Sequence, residues 1–242
     1  MRSSISNKPL KIQHVLLDLD GTLVDSSRGI YLAFVSACDE VDIQAPHFDE
    51  FFRYIGPPIQ ILAKQIYPDI HPDKLLALTT KFRSEYDYKY YSTVQWHDGV
   101  IKGLQRLATQ PNILLSIVTN KPTNPATAII KDAGIYDLFH VVVGIDHRRL
   151  AASGEVFANK AEALGYTLSL VGCSPSQAVY VGDTPSDFQA CSRHDISFIA
   201  ATYGFHRWIK TELQSLMIAN SFDEVFALLS RVVLPIPSES QY

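Results

Sequence analysis

Cysteine is scarce in this chain of 242 residues: Cys38, Cys173 and Cys191 are all it has, an odd number with no CxxC spacing. That pattern excludes a disulfide framework and a zinc knuckle, so three reduced thiols are expected. The Leu-Val-Gly stretch before Cys173 looks like a lipidation site but lies far from the N-terminus, and chance explains it better. Positive charge is not in excess either. Lysine and arginine number 21 against 25 aspartates and glutamates, a formal net charge of −4. No broad basic surface for a nucleic-acid backbone follows, although a local cationic pocket for one phosphate group stays open. Long apolar runs are missing too: none reaches the roughly 18–20 residues that span a bilayer. The stretch from Met1 to Pro9 is polar and lacks the apolar segment of a signal peptide. A cytoplasmic protein without a nucleic-acid or membrane partner is therefore expected.

What is present is the make-up of an ordinary globular chain, 47% hydrophobic and 19% charged, without repeats or low-complexity tracts. Its length allows one good-sized core, or a core with a small attached lobe. Residues 12–19, IQHVLLDL, form an apolar run of strand length that ends in acids and Gly21, as a buried strand emptying into a loop does. Ile30, Ala33, Phe34 and Ala37 follow at helical spacing, so the unit reads as strand, loop and helix, the start of an α/β fold.

Between about Val41 and Gln95 the texture changes. Ile59, Leu62, Ala63 and Ile66 mark one amphipathic helix, and Leu75, Thr79, Phe82 and Tyr86 another, with no strand between them. Alternation then returns, with apolar strands at 113–118, 141–143, 178–181 and 196–200. Ser221 and Glu224 form a capping box ahead of Val225, Leu228 and Leu229, which predicts a final short helix. The expected fold is α/β: a Rossmann-like, doubly wound, mostly parallel sheet carrying a small helical insertion. The core takes residues 10–26 and 96–232 and the helical cap 27–95, while 1–9 and 233–242 are expected to be disordered tails.

The densest chemistry is Asp18-Leu19-Asp20-Gly21-Thr22. Two acids two residues apart lie on one side of an extended chain, and the glycine then permits a sharp turn. A second acidic pair, Asp183 and Asp187, follows the apolar run Ala178 to Gly182. In doubly wound sheets ligands collect outside the carboxyl ends of the strands, which is where both pairs fall. Three or four oxygen ligands with no Cys or His pair beside them suit a hard cation that keeps its waters, so Mg²⁺ is favoured over zinc. Thr119 and Asn120 end another strand, where free backbone amides cap a helix or welcome an oxyanion.

DLDGTLVDSS at 18–27, IVTNKP at 117–122, NKAEAL at 159–164 and VYVGDTPSD at 179–187 resemble, in order and spacing, the four motifs of the haloacid dehalogenase superfamily. Within it the sequence is similar to the phosphoglycolate phosphatase-like branch. The resemblance implies a Mg²⁺-dependent phosphatase acting on a small phosphorylated metabolite. Asp18 would attack phosphorus, and Asp20 would serve as acid and then base. Gly21, Thr119, Asn120 and Lys160 would bind the phosphoryl group. The metal would be held by Asp18, Asp183 and the backbone carbonyl of Asp20, with Asp187 supporting its water shell. Lys160 lacks the Lys-Pro pair common in relatives, and Lys121 stands as the alternative.

The insertion corresponds to the family's small helical cap. Its Tyr54-Ile55-Gly56-Pro57-Pro58 loop is expected to reach toward substrate, and Arg53 is a candidate for a second anionic group. His97 and Asp98 read as the hinge between cap and core, and the tyrosines at 86, 88, 90 and 91 as packing of the cap. A sugar-phosphate mutase, a phosphonate hydrolase using Lys64 or Lys74, and a catalytically silent binding module are the competing functions.

Overall fold

The computed structural model describes residues 12–145 and 157–233. The expected tails lie outside these residues, except for Val233, which closes the last helix. Elements run in the order β1 (His14–Leu17), β2 (Val24–Asp25), α1 (Ser27–Glu40), α2 (Phe48–Phe51), α3 (Ile59–Ile66), α4 (Pro72–Glu85) and β3 (Gln95–Trp96). Then come α5 (Val100–Ala108), β4 (Leu114–Thr119), α6 (Thr123–Asp132), β5 (Val141–Gly144), α7 (Lys160–Val171) and β6 (Ala178–Gly182). The chain continues through α8 (Pro185–Ser192), β7 (Ser197–Ala201), α9 (Lys210–Leu213), β8 (Met217–Ala219) and α10 (Phe222–Val233).

Six strands form one parallel sheet in the order β5-β4-β1-β6-β7-β8. From β1 the chain builds outward through β4 and β5, then returns to the other side of β1 and builds through β6, β7 and β8. The reversal opens a crevice between β1 and β6 at their carboxyl ends, the position where such sheets hold ligands. Residues Leu17 and Val181 are partners there, and the amide of Asp18 donates to the Val181 carbonyl at 2.9 Å.

Strand period two divides the core into layers. Val15, Leu17, Ile117, Val179 and Val181 face one way and pack with α5, α6 and α10 through Leu104, Ile129 and Phe222. Leu16, Val118, Tyr180 and Phe198 face the other way against α7 and α8. The sheet is thus doubly wound, as its near-continuous apolar strands predict. Among the described residues no helix is long and apolar enough to cross a membrane.

Helix α1 follows the first strand but packs away from the sheet. Its buried Ala33, Phe34, Ala37 and Cys38 do not cover the sheet but join Phe51, Leu62, Leu78 and Phe82 in a third cluster with α3 and α4. The helix after the first strand therefore belongs to the helical insertion. Chain enters and leaves that insertion through an antiparallel ribbon, Val24 opposite Trp96 and Asp25 opposite Gln95. His97 extends it by donating its amide to the Leu23 carbonyl at 3.1 Å. At the C-terminal helix the capping box is only half formed. Ser221 Oγ accepts from the Glu224 amide at 3.3 Å, but the Glu224 carboxylate reaches the Asn220 amide, 2.8 Å away, instead of that of Ser221.

Candidate active site

Asp18 lies one residue past β1 and Asp183 one past β6, so parallel pairing of the two strands carries both acids to the same mouth. Asp187 arrives from α8. Thr184 Oγ1 caps that helix by accepting from the Asp187 amide at 3.3 Å, and Asp187 Oδ2 returns to the Thr184 amide and hydroxyl at 3.0 and 2.7 Å. This reciprocal box fixes the carboxylate before any ligand is considered. One oxygen each from Asp18, Asp183 and Asp187 lies within 4.8 Å of the others, all three residues being buried.

Asp183 is held by close packing. Gly21 has φ +79°, and a Cβ there would stand 2.2 Å from Asp183 Oδ2. At Gly204 a Cβ would come within 2.3 Å of Asp183 Cβ. The Phe205 amide donates to Asp183 Oδ2 at 2.8 Å, whereas Oδ1 is buried and has no hydrogen-bond partner. Burial, with Asp187 and Asp18 beside it, pushes the Asp183 carboxyl well above the usual carboxylate range. An orphaned, buried carboxylate oxygen among two further carboxylates, without nitrogen or sulfur in the cluster, fits a small hard divalent cation such as Mg²⁺.

Two buried lysines divide the remaining charge. Lys160, at the start of α7, places Nζ 2.7 Å from Asp18 Oδ2 and 2.5 Å from Asp187 Oδ1. Burial alone would lower its pKa, but the two carboxylates more than reverse that and hold the ammonium charged. Asp18 is shifted to about 6, raised chiefly by burial, against the opposing attraction of Lys160. Lys121, two residues past β4, lies 2.9 Å from Asp20 Oδ1 and donates to the Tyr86 hydroxyl at 2.7 Å. Both lysines named from sequence are thus in the site, one against Asp18 and the other against Asp20.

A cavity of about 100 Å³ opens above these groups, several times the roughly 10–15 Å³ that one water requires. Asp18, Asp20, Thr119, Asn120, Lys121 and Asp183 form its polar floor. The opposite wall is apolar, made by Ile55, Pro57, Pro58, Ile59, Leu62 and Phe82 of the insertion. The loop through Gly56 and its prolines therefore reaches the cavity as expected. Arg53 is exposed and outside the lining, where Arg83 of α4 stands instead. Lys64 is exposed, and Lys74 donates to the Val41 carbonyl at 2.8 Å, so neither is placed to form an imine in the cavity.

Other positions take roles that the sequence does not announce. The Gly21 amide is engaged by the Val24 carbonyl at 2.8 Å, so what Gly21 contributes is room for Asp183. Thr119 Oγ1 accepts from the Lys121 amide at 3.3 Å. Asp20 stands outside the carboxylate triad, with its side chain turned to Lys121. Of the four tyrosines assigned to cap packing, Tyr86 is buried and points at Lys121, whereas Tyr88 is 86% exposed. Thr184 was legible as the first residue of a Thr-x-x-Asp capping signature, but the Phe205 amide and Gly204 carry no local signal.

This doubly wound parallel sheet, with acids at two strand ends and two lysines among them, places the chain in the class of α/β proteins that gather charged groups at a topological switch point. Comparison with known proteins is more specific. A profile of the haloacid dehalogenase-like hydrolases matches residues 15–201, and the chain belongs to that family. It is 30% identical over 198 residues to a phosphoglycolate phosphatase from Pasteurella multocida, covering 78% of this chain and 85% of the relative. It is also 26% identical over 195 residues to the tyrosine-protein kinase PtkA of Mycobacterium tuberculosis; that match covers 81% of this chain but spans only 64% of the kinase's length. A haloacid dehalogenase-like family hydrolase from Streptococcus pneumoniae superposes with a TM-score of 0.78 at 28% identity, covering 90% of this chain and 98% of the other.

Proposed function

We propose that this chain is a Mg²⁺-dependent phosphatase that transfers the phosphoryl group of a small phosphorylated metabolite to Asp18 and then to water. The observation that carries the reading is the meeting of Asp18 and Asp183 oxygens within 4.8 Å beside the Lys160 ammonium. Asp18, Asp183 and the Asp20 backbone carbonyl would hold the cation. Asp187, both of whose oxygens are already engaged, supports that shell. When bound, such a cation would supply charge neutralisation for the phosphoryl group.

The chain's own groups do the rest. Asp18 Oδ attacks phosphorus as the ester P–O bond breaks, and the departing oxygen takes a proton from Asp20. Asp20, now a carboxylate, removes a proton from the water that attacks the phospho-aspartate, which releases inorganic phosphate and restores Asp18. Lys160 keeps Asp18 ionised and offers its remaining N–H to the phosphoryl group. Thr119 and Asn120 line the cavity at the end of β4, where they would meet the same oxygens. Residues 27–95 act as a cap whose apolar wall excludes bulk water and limits substrate size. The phosphoglycolate phosphatases among the relatives make short phosphorylated acids the first substrates to examine.

The test is hydrolysis of p-nitrophenyl phosphate by the purified chain, with Mg²⁺ and with excess chelator, followed by a panel of phosphorylated metabolites. Turnover is expected only with the metal and none in Asp18→Asn. Metal-independent turnover, or a fully active Asp18→Asn, refutes the reading.

A further inference from the structure

We infer that Tyr86 is a positioning residue which the cap supplies to the core: it holds Lys121, and Lys121 holds the carboxylate of Asp20 in its working orientation. The inference rests on the reading of Asp20 as proton donor and acceptor, and it names how that residue is kept in place.

Asp20 is not fixed by its immediate surroundings. Asp18 is held by the Leu19 amide and Lys160, Asp183 by Phe205 and two glycines, and Asp187 by its capping box. For Asp20 the contact at hand is an ion pair, Lys121 Nζ lying 2.9 Å from an Oδ1 that has no hydrogen-bond partner. Lysine is a flexible point charge on a four-carbon stem, so it orients a carboxylate only if it is itself oriented. Here Nζ donates to Tyr86 Oη at 2.7 Å and sits 4.2 Å from the centre of the same ring. The ring in turn stacks on Phe82 at 5.8 Å with planes 7° apart, inside the cap's own cluster.

Placement of Tyr86 is built into the backbone. Helix α4 ends at Glu85 and passes into a π turn over Tyr86–Tyr90, the widened geometry that often marks a functional position. Gly29 of α1 leaves space for that turn, since a Cβ there would meet the Tyr90 carbonyl at 2.6 Å and the Tyr86 ring at 3.4 Å. The Tyr86 hydroxyl thus carries a polar contact from the cap to Lys121 of the core. Withdrawal of the cap removes the acceptor that aims Lys121, and Asp20 loses its aim with it.

Tyr86→Phe removes that hydroxyl and keeps the ring on Phe82. With p-nitrophenyl phosphate and Mg²⁺, kcat is expected to fall roughly tenfold in Tyr86→Phe and roughly a hundredfold in Lys121→Met, with KM changed less than about twofold. The double variant should be no slower than Lys121→Met, because the hydroxyl acts only through the ammonium. Additive losses, or a KM that rises while kcat holds, overturn the proposal and make Lys121 a substrate ligand. Crystal structures of wild type and Tyr86→Phe decide the matter independently of turnover: the Asp20 carboxylate should leave Lys121 in the variant, and an unmoved pair refutes the idea. A wild-type chain that releases no phosphate instead counts against the proposed function.

Discussion

Asp18→Asn should make the metal-free protein more stable at neutral pH while abolishing turnover. Asp18 is buried and its carboxyl is raised from 3.8 to about 6, mainly by loss of hydration. Native protein therefore holds this proton where the unfolded chain has released it, and stability falls as pH rises from about 4 to about 6. Above that window the cost is constant. At 1.36 kcal/mol per pH unit it comes to about 3 kcal/mol. Asparagine has no charge to bury, and Lys160 keeps Asp187 as a partner at 2.5 Å, so its ammonium is not orphaned. In chelator at pH 7.5 the variant should melt about 6–12 °C above wild type, at roughly 2–4 °C per kcal/mol for a chain of this size, and the gap should close near pH 4. Mg²⁺ should raise the melting temperature of wild type and leave Asp18→Asn nearly unmoved. Thermal melts at the two pH values, with and without Mg²⁺, check this. A variant less stable than wild type in chelator at pH 7.5 refutes the argument that burial of this charge is a cost borne for chemistry.

Gly204→Ala should displace Asp183, since the added carbon would stand 2.3 Å from its Cβ. A loss of about 1–3 kcal/mol in denaturant unfolding and at least about tenfold in Mg²⁺-dependent turnover is expected, and a variant with wild-type values for both contradicts it. His14 is buried with Nε2 2.8 Å from Ser116 Oγ, and burial, then the nearby His140, push its pKa down to about 4. The unfolded chain binds that proton first, so this residue costs stability as pH falls from 6.5 toward 4. Its ring resonances should stay in the neutral position down to about pH 5 by NMR, and a midpoint near 6.5 would be the refuting result.

How much of this was legible in the sequence depended on range. The five longer strands of the main sheet announced themselves because buried parallel strands read as apolar runs, and Asp18 and Asp183 because they end two of those runs. Strand β8 and the ribbon of β2 and β3 did not, being only two or three residues each and defined by partners far away in the chain. The side on which α1 packs was equally hidden, since periodicity shows that a helix has an apolar face but not what covers it. In the site, the capping partner of Asp187 lies within four residues and could be read, while Gly204, Phe205 and Tyr86 are set by tertiary approach. Sequence offered Lys160 and Lys121 for one place, and folding sets the first between Asp18 and Asp187 and the second beside Asp20, an arrangement that neither local stretch encodes.

The ribbon of Val24–Asp25 against Gln95–Trp96 brings the departing and returning chain side by side. From the sheet's standpoint, everything from α1 to the π turn is thus a single long excursion from one doorway. Because the entropy of closing such an excursion grows only slowly with its length, the size of the visitor adds little to what the sheet must spend to fold around it.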